Sequence, residues 1–192
     1  MSTSTAWSDE SFQEHDHAGF YIIAAAVIPE VAAQEHAREE MLRLQVRHAS
    51  TKVHWTKADT AQRDQLARAV AALDGLHVVA VGAPVRPRRQ ERARAHCLNL
   101  LVCELHGFKV GHLFMEARDP VLNARDVATV QQARYALPRD ARFRLDHLPG
   151  AAEPLLWVAD IVAGAVRAEK LGDPRYRALL GERVIDFPVE VR

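Results

Sequence analysis

Apolar runs alternate with amphipathic stretches along the chain. Residues 19–28 (GFYIIAAAVI) are apolar, rich in β-branched and aromatic side chains and stopped by Pro29, which predicts a buried strand. Residues 76–85 (LHVVAVGAPV) and 110–116 (VGHLFME) predict two more strands, and 143–148 a short one. Ahead of them, 6–11 reads as a first short strand, joined to the 19–28 run by the polar loop FQEHDHA. Helical spacing sets in after Pro29 and continues to about Arg47, and 52–55 reads as a short extended piece. A second helix, capped by Asp59 or Thr60, runs to Asp74 with Leu66, Val70 and Leu73 on one face, and Gly75 ends it. The basic run 86–94 (RPRRQERAR) leads into a helix that continues to His106. Helices are also expected over 123–137 and 153–171, and the latter is apolar almost all round, which predicts packing on two sides. The tail, 174–192, predicts a helical turn or two and then an extended end. A hairpin-like start followed by strand–helix alternation implies an α/β fold: a mixed sheet with a leading β-hairpin, flanked by helices, in one domain.

Composition narrows the function classes. The chain has 192 residues, 48% hydrophobic and 26% charged, which are globular proportions. Lys and Arg number 25, as do Asp and Glu, so bulk charge gives no affinity for nucleic acid, although a local basic face remains open. The longest strongly apolar stretch, 155–166, is interrupted by Asp160 and is too short for a bilayer, and residues 1–7 show no secretory signal. Cys97 and Cys103 read as buried free thiols in a reducing, cytoplasmic compartment.

Three acidic residues stand where burial is expensive: Asp9 at the end of the first strand, Glu116 at the end of GHLFME, and Asp160 within LLWVADIVAGAV. A buried carboxylate costs several kcal/mol unless it is paired or coordinates a metal. For Asp160 the alternatives are an ion pair with Arg167, a capping role, or a metal or catalytic role. Gly164, one turn on, leaves room for a close neighbour. Asp9 also reads as a turn signal and Glu116 as a solvated strand end, and Asp119 before Pro120 as a turn residue. Carboxylates converging from separate strand ends would bind Mg²⁺ or Mn²⁺ through hard oxygen ligands, as in phosphoryl transfer.

Asp9-Glu10-Ser11 followed by the strand FYIIAAAVI, with WVADIVAGAV far downstream, resembles the domain-of-unknown-function family 3800 from about Trp7 to Lys170. The resemblance implies a ribonuclease H-like fold with acidic residues on the first strand, a later strand and the last helix. Asp9 matches the first and Asp160 the last. Glu116, near Arg118, would fill the middle place. Phe12 stands where the family usually has Gly. The segment KVHWTK resembles a family segment carrying Glu or His with Lys, which makes His54 and Lys57 second-rank candidates.

Further candidates carry open alternatives. His147, beside Asp146, reads as a proton donor near Asp160 or as a hydrogen-bonded loop residue. His15 and His17 flank Asp16 with a metal-compatible spacing, or form a surface loop. Arg86, Arg88, Arg89, Arg92 and Arg94 read as phosphate contacts or as a solvated helix start, with Arg88 and Arg92 spaced for one helix face. No zinc spacing, phosphate-binding glycine loop or serine-hydrolase elbow is present. The expectation is a divalent-metal-dependent nuclease or related phosphodiester-processing enzyme. The alternative is a non-catalytic ribonuclease H-like module binding nucleic acid or a protein partner.

Overall fold

The computed structural model describes residues 4–16, 19–48 and 50–191. Six strands form one sheet: β1 (Ser4–Gln13), β2 (Gly19–Val27), β3 (Leu76–Val85), β4 (Val110–Glu116), β5 (Arg144–Leu148) and β6 (Val184–Glu190). Their order is β5-β4-β1-β2-β3-β6. β2 is antiparallel to both β1 and β3, whereas β4 runs parallel to β1, β5 to β4 and β6 to β3. The α/β class, the mixed sheet and the leading hairpin are as expected. β2 lies in the interior of the sheet and every one of its residues is buried, which explains its continuous apolar run.

The helices are α1 (Val31–Arg47), α2 (Thr60–Ala72), α3 (Gln90–Gly107), α4 (Pro120–Ala133), α5 (Pro154–Lys170) and α6 (Arg175–Leu180). Asp59 caps α2 with a reciprocal capping box through Gln62. Asp119 is the N-cap of α4 rather than a simple turn residue: its carboxylate accepts from the Val121 and Leu122 N–H groups. α4 therefore starts three residues before the apolar periodicity does. α3 starts only at Gln90, so Arg88 lies in the preceding turn and does not share a helix face with Arg92.

Two cores back onto the sheet. One holds α5 against β1 and β2, with α1, α2 and α6 packed outside it. Sandwiched in this way, α5 is buried from Leu155 to Val166, as its apolar circumference predicts. The other core holds α3 against β2 and β3, with α4 beside α3. The extended tail is a true strand, β6, added to β3.

Candidate carboxylate site

Register brings two of the acids together. Trp7 pairs with Phe114 and Ser8 with Met115 across the parallel strands, so the next step sets Asp9 beside Glu116. Alternation turns Trp7, Asp9, Phe114 and Glu116 to the α5 face, where the Trp7 and Phe114 rings stack at 6.2 Å. Glu10 turns the other way, to Arg94 on α3.

The third acid comes from α5. Asp160 lies one turn before Gly164, and a Cβ at Gly164 would overlap the Trp55 ring. The room at that glycine is thus filled by Trp55, whose backbone N–H donates to Asp160 Oδ2 at 2.9 Å. Tyr176 meets the Trp55 ring edge-on at 4.9 Å and the Arg63 guanidinium lies over it at 5.4 Å. This docking pins the segment that carries Lys52 and His54 over the acids. The Lys52 ammonium, itself buried, pairs with Glu116. His54 Nδ1 stands 3.7 Å from Asp160 Oδ2.

The result is an open depression of about 310 Å³ lined by Asp9, Glu10, Glu116 and Asp160 with Lys52, His54 and Arg118. Asp9 and Asp160 are 8% and 9% exposed, so two of its acids are withdrawn from water. Burial raises the Asp9 carboxyl well above the usual carboxylate range. Asp160, Glu10 and Glu116 push it further up, and Lys52 opposes them.

A second ionic cluster adjoins it on the α3 face. Buried Arg94 holds Asp126 through two bonds of 2.8 and 2.9 Å and reaches Glu10 at 2.8 Å. Arg118 links the clusters: it donates to Asp126 at 3.0 Å and to Glu91 at 2.6 Å, and it also lines the depression. His147 Nε2 is 3.3 Å from Asp126 Oδ2. Burial alone would raise the Asp126 carboxyl, but hydrogen bonds from His147 and Arg94, with both guanidinium charges, take it down to about 2.

Of the residues singled out in the sequence, the depression collects Asp9, Glu116, Asp160 and His54. His147 is held at Asp126 instead, and Asp146 pairs with His112 and Arg144 rather than approaching Asp160. Lys57 is exposed and outside the lining. Arg167 donates to Gln13 at 2.7 Å, so it is not the partner of Asp160. Arg92 lines a separate cavity and Arg88 neither. Phe12 is 48% exposed and stacks on Tyr21. His17 lies outside the described residues. Sequence reasoning passed over Lys52. Its signal was its place in KVHWTK as one of only four lysines, five residues before the one chosen.

In donor chemistry the acids suit a hard divalent cation. Among the described residues, however, no three His, Cys, Asp or Glu side chains stand as a ready-made ion-binding set. Among them, too, no helix is long and apolar enough to cross a membrane. No protein-family model matches the chain, and no curated protein matches it.

Proposed function

We propose that the protein is a divalent-metal-dependent nuclease or related phosphodiester-processing enzyme. One observation carries this reading: Asp9, Glu116 and Asp160, separated by 107 and 44 residues (9 to 116, 116 to 160), line one depression together with Glu10, with a single ammonium among them. Asp9 and Asp160 would hold Mg²⁺ or Mn²⁺, with Glu116 beside them and paired to Lys52. Such an ion supplies charge neutralisation at a phosphoryl oxygen and activation of the attacking water. The chain's own groups supply the rest. Lys52 and Arg118 are cations placed to meet a phosphodiester oxygen, and His54, held against Asp160, orients a water or protonates a leaving group. The free thiols Cys97 and Cys103 accord with a reducing, cytoplasmic setting.

The test is a cleavage screen over single- and double-stranded DNA and RNA with Mg²⁺, Mn²⁺ or chelator. Cleavage is expected with metal alone, and Asp160→Asn should abolish it with the fold intact. Cleavage that survives in Asp160→Asn would refute the assignment. The Lys52–Glu116 pair specifically favours a second reading, a non-catalytic module for nucleic acid or a protein partner. In that case Lys52 already neutralises Glu116, and Mn²⁺ should leave the melting temperature of the wild type unchanged.

A further inference from the structure

The first turn of α3 separates two depressions. On one side Glu91 reaches Arg118, which lines the carboxylate site. On the other, Arg92 lines a cavity of about 420 Å³ together with Arg86 and Arg89. Asp9 shares a row of the sheet with Ala24 and Val79, and Pro84 of the arginine cavity lies five residues further along β3, so at about 3.3 Å per residue and about 4.8 Å per strand the two hollows lie about 20 Å apart.

The arginines of this cavity are held differently from those that pair with carboxylates, Arg43 and Arg175 among them. Arg38, Arg68, Arg94, Arg118, Arg144 and Arg177 all pair with carboxylates. Arg86, Arg89 and Arg92 are exposed, and among the described residues their side chains make no ion pair or hydrogen bond. Glu190 shares the lining, one negative charge against three positive. Cations at the positive end of a helix dipole do not serve stability. The backbone is costly as well. Arg89 N–H closes a turn on Arg86 O at 3.2 Å, with Pro87 and Arg88 at its centre and Arg88 at φ +62°, a position where glycine is usual. That turn brings Arg86 and Arg89 to one mouth.

We infer that the Arg86–Arg89–Arg92 cavity anchors the phosphates of a nucleic acid strand whose neighbouring segment reaches the carboxylate depression. This deepens the phosphodiester reading and rests on it. At about 3.4 Å of rise per nucleotide, that separation of about 20 Å spans about six nucleotides, so a strand held here places a phosphodiester about six residues along at the acids. Guanidinium groups grip phosphate oxygens in pairs and carry no sequence preference, so the cavity sets position rather than specificity.

The experiment is anisotropy titration of fluorescein-labelled single-stranded DNA and RNA of about 15 nucleotides with the full chain in chelator, across a salt series. Arg86→Ala/Arg89→Ala/Arg92→Ala is compared with Arg47→Ala/Arg125→Ala/Arg139→Ala, three exposed arginines elsewhere that give the same charge change. The cavity variant should weaken binding at least about tenfold at low salt. It should also flatten the salt slope by about 2, at about 0.7 per phosphate contact. The control variant should do neither. Equal losses in both variants, no loss in the cavity variant, or no binding of either oligonucleotide by wild type overturns the proposal. Complete displacement of bound oligonucleotide by pyrophosphate also overturns it, by giving the cavity to a small anion. Because binding is read in chelator, a wild type that binds through this cavity but never cleaves supports the anchor and refutes the nuclease reading alone.

Discussion

The two ionic clusters at this end of the sheet share a border and differ in balance. On the α3 face, Arg94 and Arg118 stand among Glu10, Asp126 and Glu91, with His147 adding a ring N–H. On the α5 face, Lys52 stands among Asp9, Glu116 and Asp160, with Arg118 shared from the other cluster. The carboxyls answer in opposite directions. Asp126 is drawn down to about 2, whereas Asp9 is pushed well up. A buried carboxylate held by two guanidiniums is part of the scaffold. One crowded by other acids costs stability, and it persists where charge is wanted for something else.

Removing the balance should have the largest effect. Arg94→Met leaves Asp126 and Glu10 without their buried cation and should cost about 3–5 kcal/mol in urea unfolding. A cost below about 1 kcal/mol would mean that Arg118 and His147 suffice without it.

Acid titration then separates the clusters by sign. Asp126 binds its proton more weakly folded than unfolded, so as pH falls from 3.8 towards about 2 the native state should lose about 2 kcal/mol. Asp9 binds its proton more tightly folded, so its contribution runs the other way: stability is gained as pH falls through its raised folded value. In chelator at neutral pH, Asp9→Asn should therefore be more stable than wild type by about 1 kcal/mol, and Asp126→Asn less stable by about 2. Taking each as a difference from wild type cancels the slope of His77, whose ring burial lowers to about 4. Matching signs for the two variants would abolish the contrast.

The smallest effect lies just outside both clusters. Arg88→Gly relieves a left-handed backbone and should change stability by less than about 1 kcal/mol, in the stabilising direction. Arg88 does not line the arginine cavity, so oligonucleotide affinity should stay within about twofold.

Strands β2, β3 and β4 were legible almost to the residue, because each is an apolar run between clear stops. Helix starts were less so. α4 begins at a capping Asp119 that periodicity does not mark, and α3 begins after a turn that takes Arg88 out of the helix. Asp9, Glu116 and Asp160 were legible because carboxylates next to apolar runs are costly. Their convergence follows from strand register, which no single stretch of sequence states. Lys52 was missed because its burial depends on Trp55 docking against Gly164, a contact across 109 residues (55 to 164). His147 was drawn to the wrong neighbour because alternation along β5 turns it to the α3 face, where Asp126 waits.

The last strand has a consequence for how the chain is made. β3 ends at Val85, and the strand that covers its outer edge does not begin until Val184. At about 5–20 residues per second, a ribosome takes roughly 5–20 s to deliver that cover. Throughout that interval the hairpin and β3 can assemble while one apolar ladder, with Val79 and Val81 in it, stays open to any passing strand. The nascent protein is therefore most prone to aggregation late in its synthesis, and the few residues of β6 act as its intramolecular chaperone.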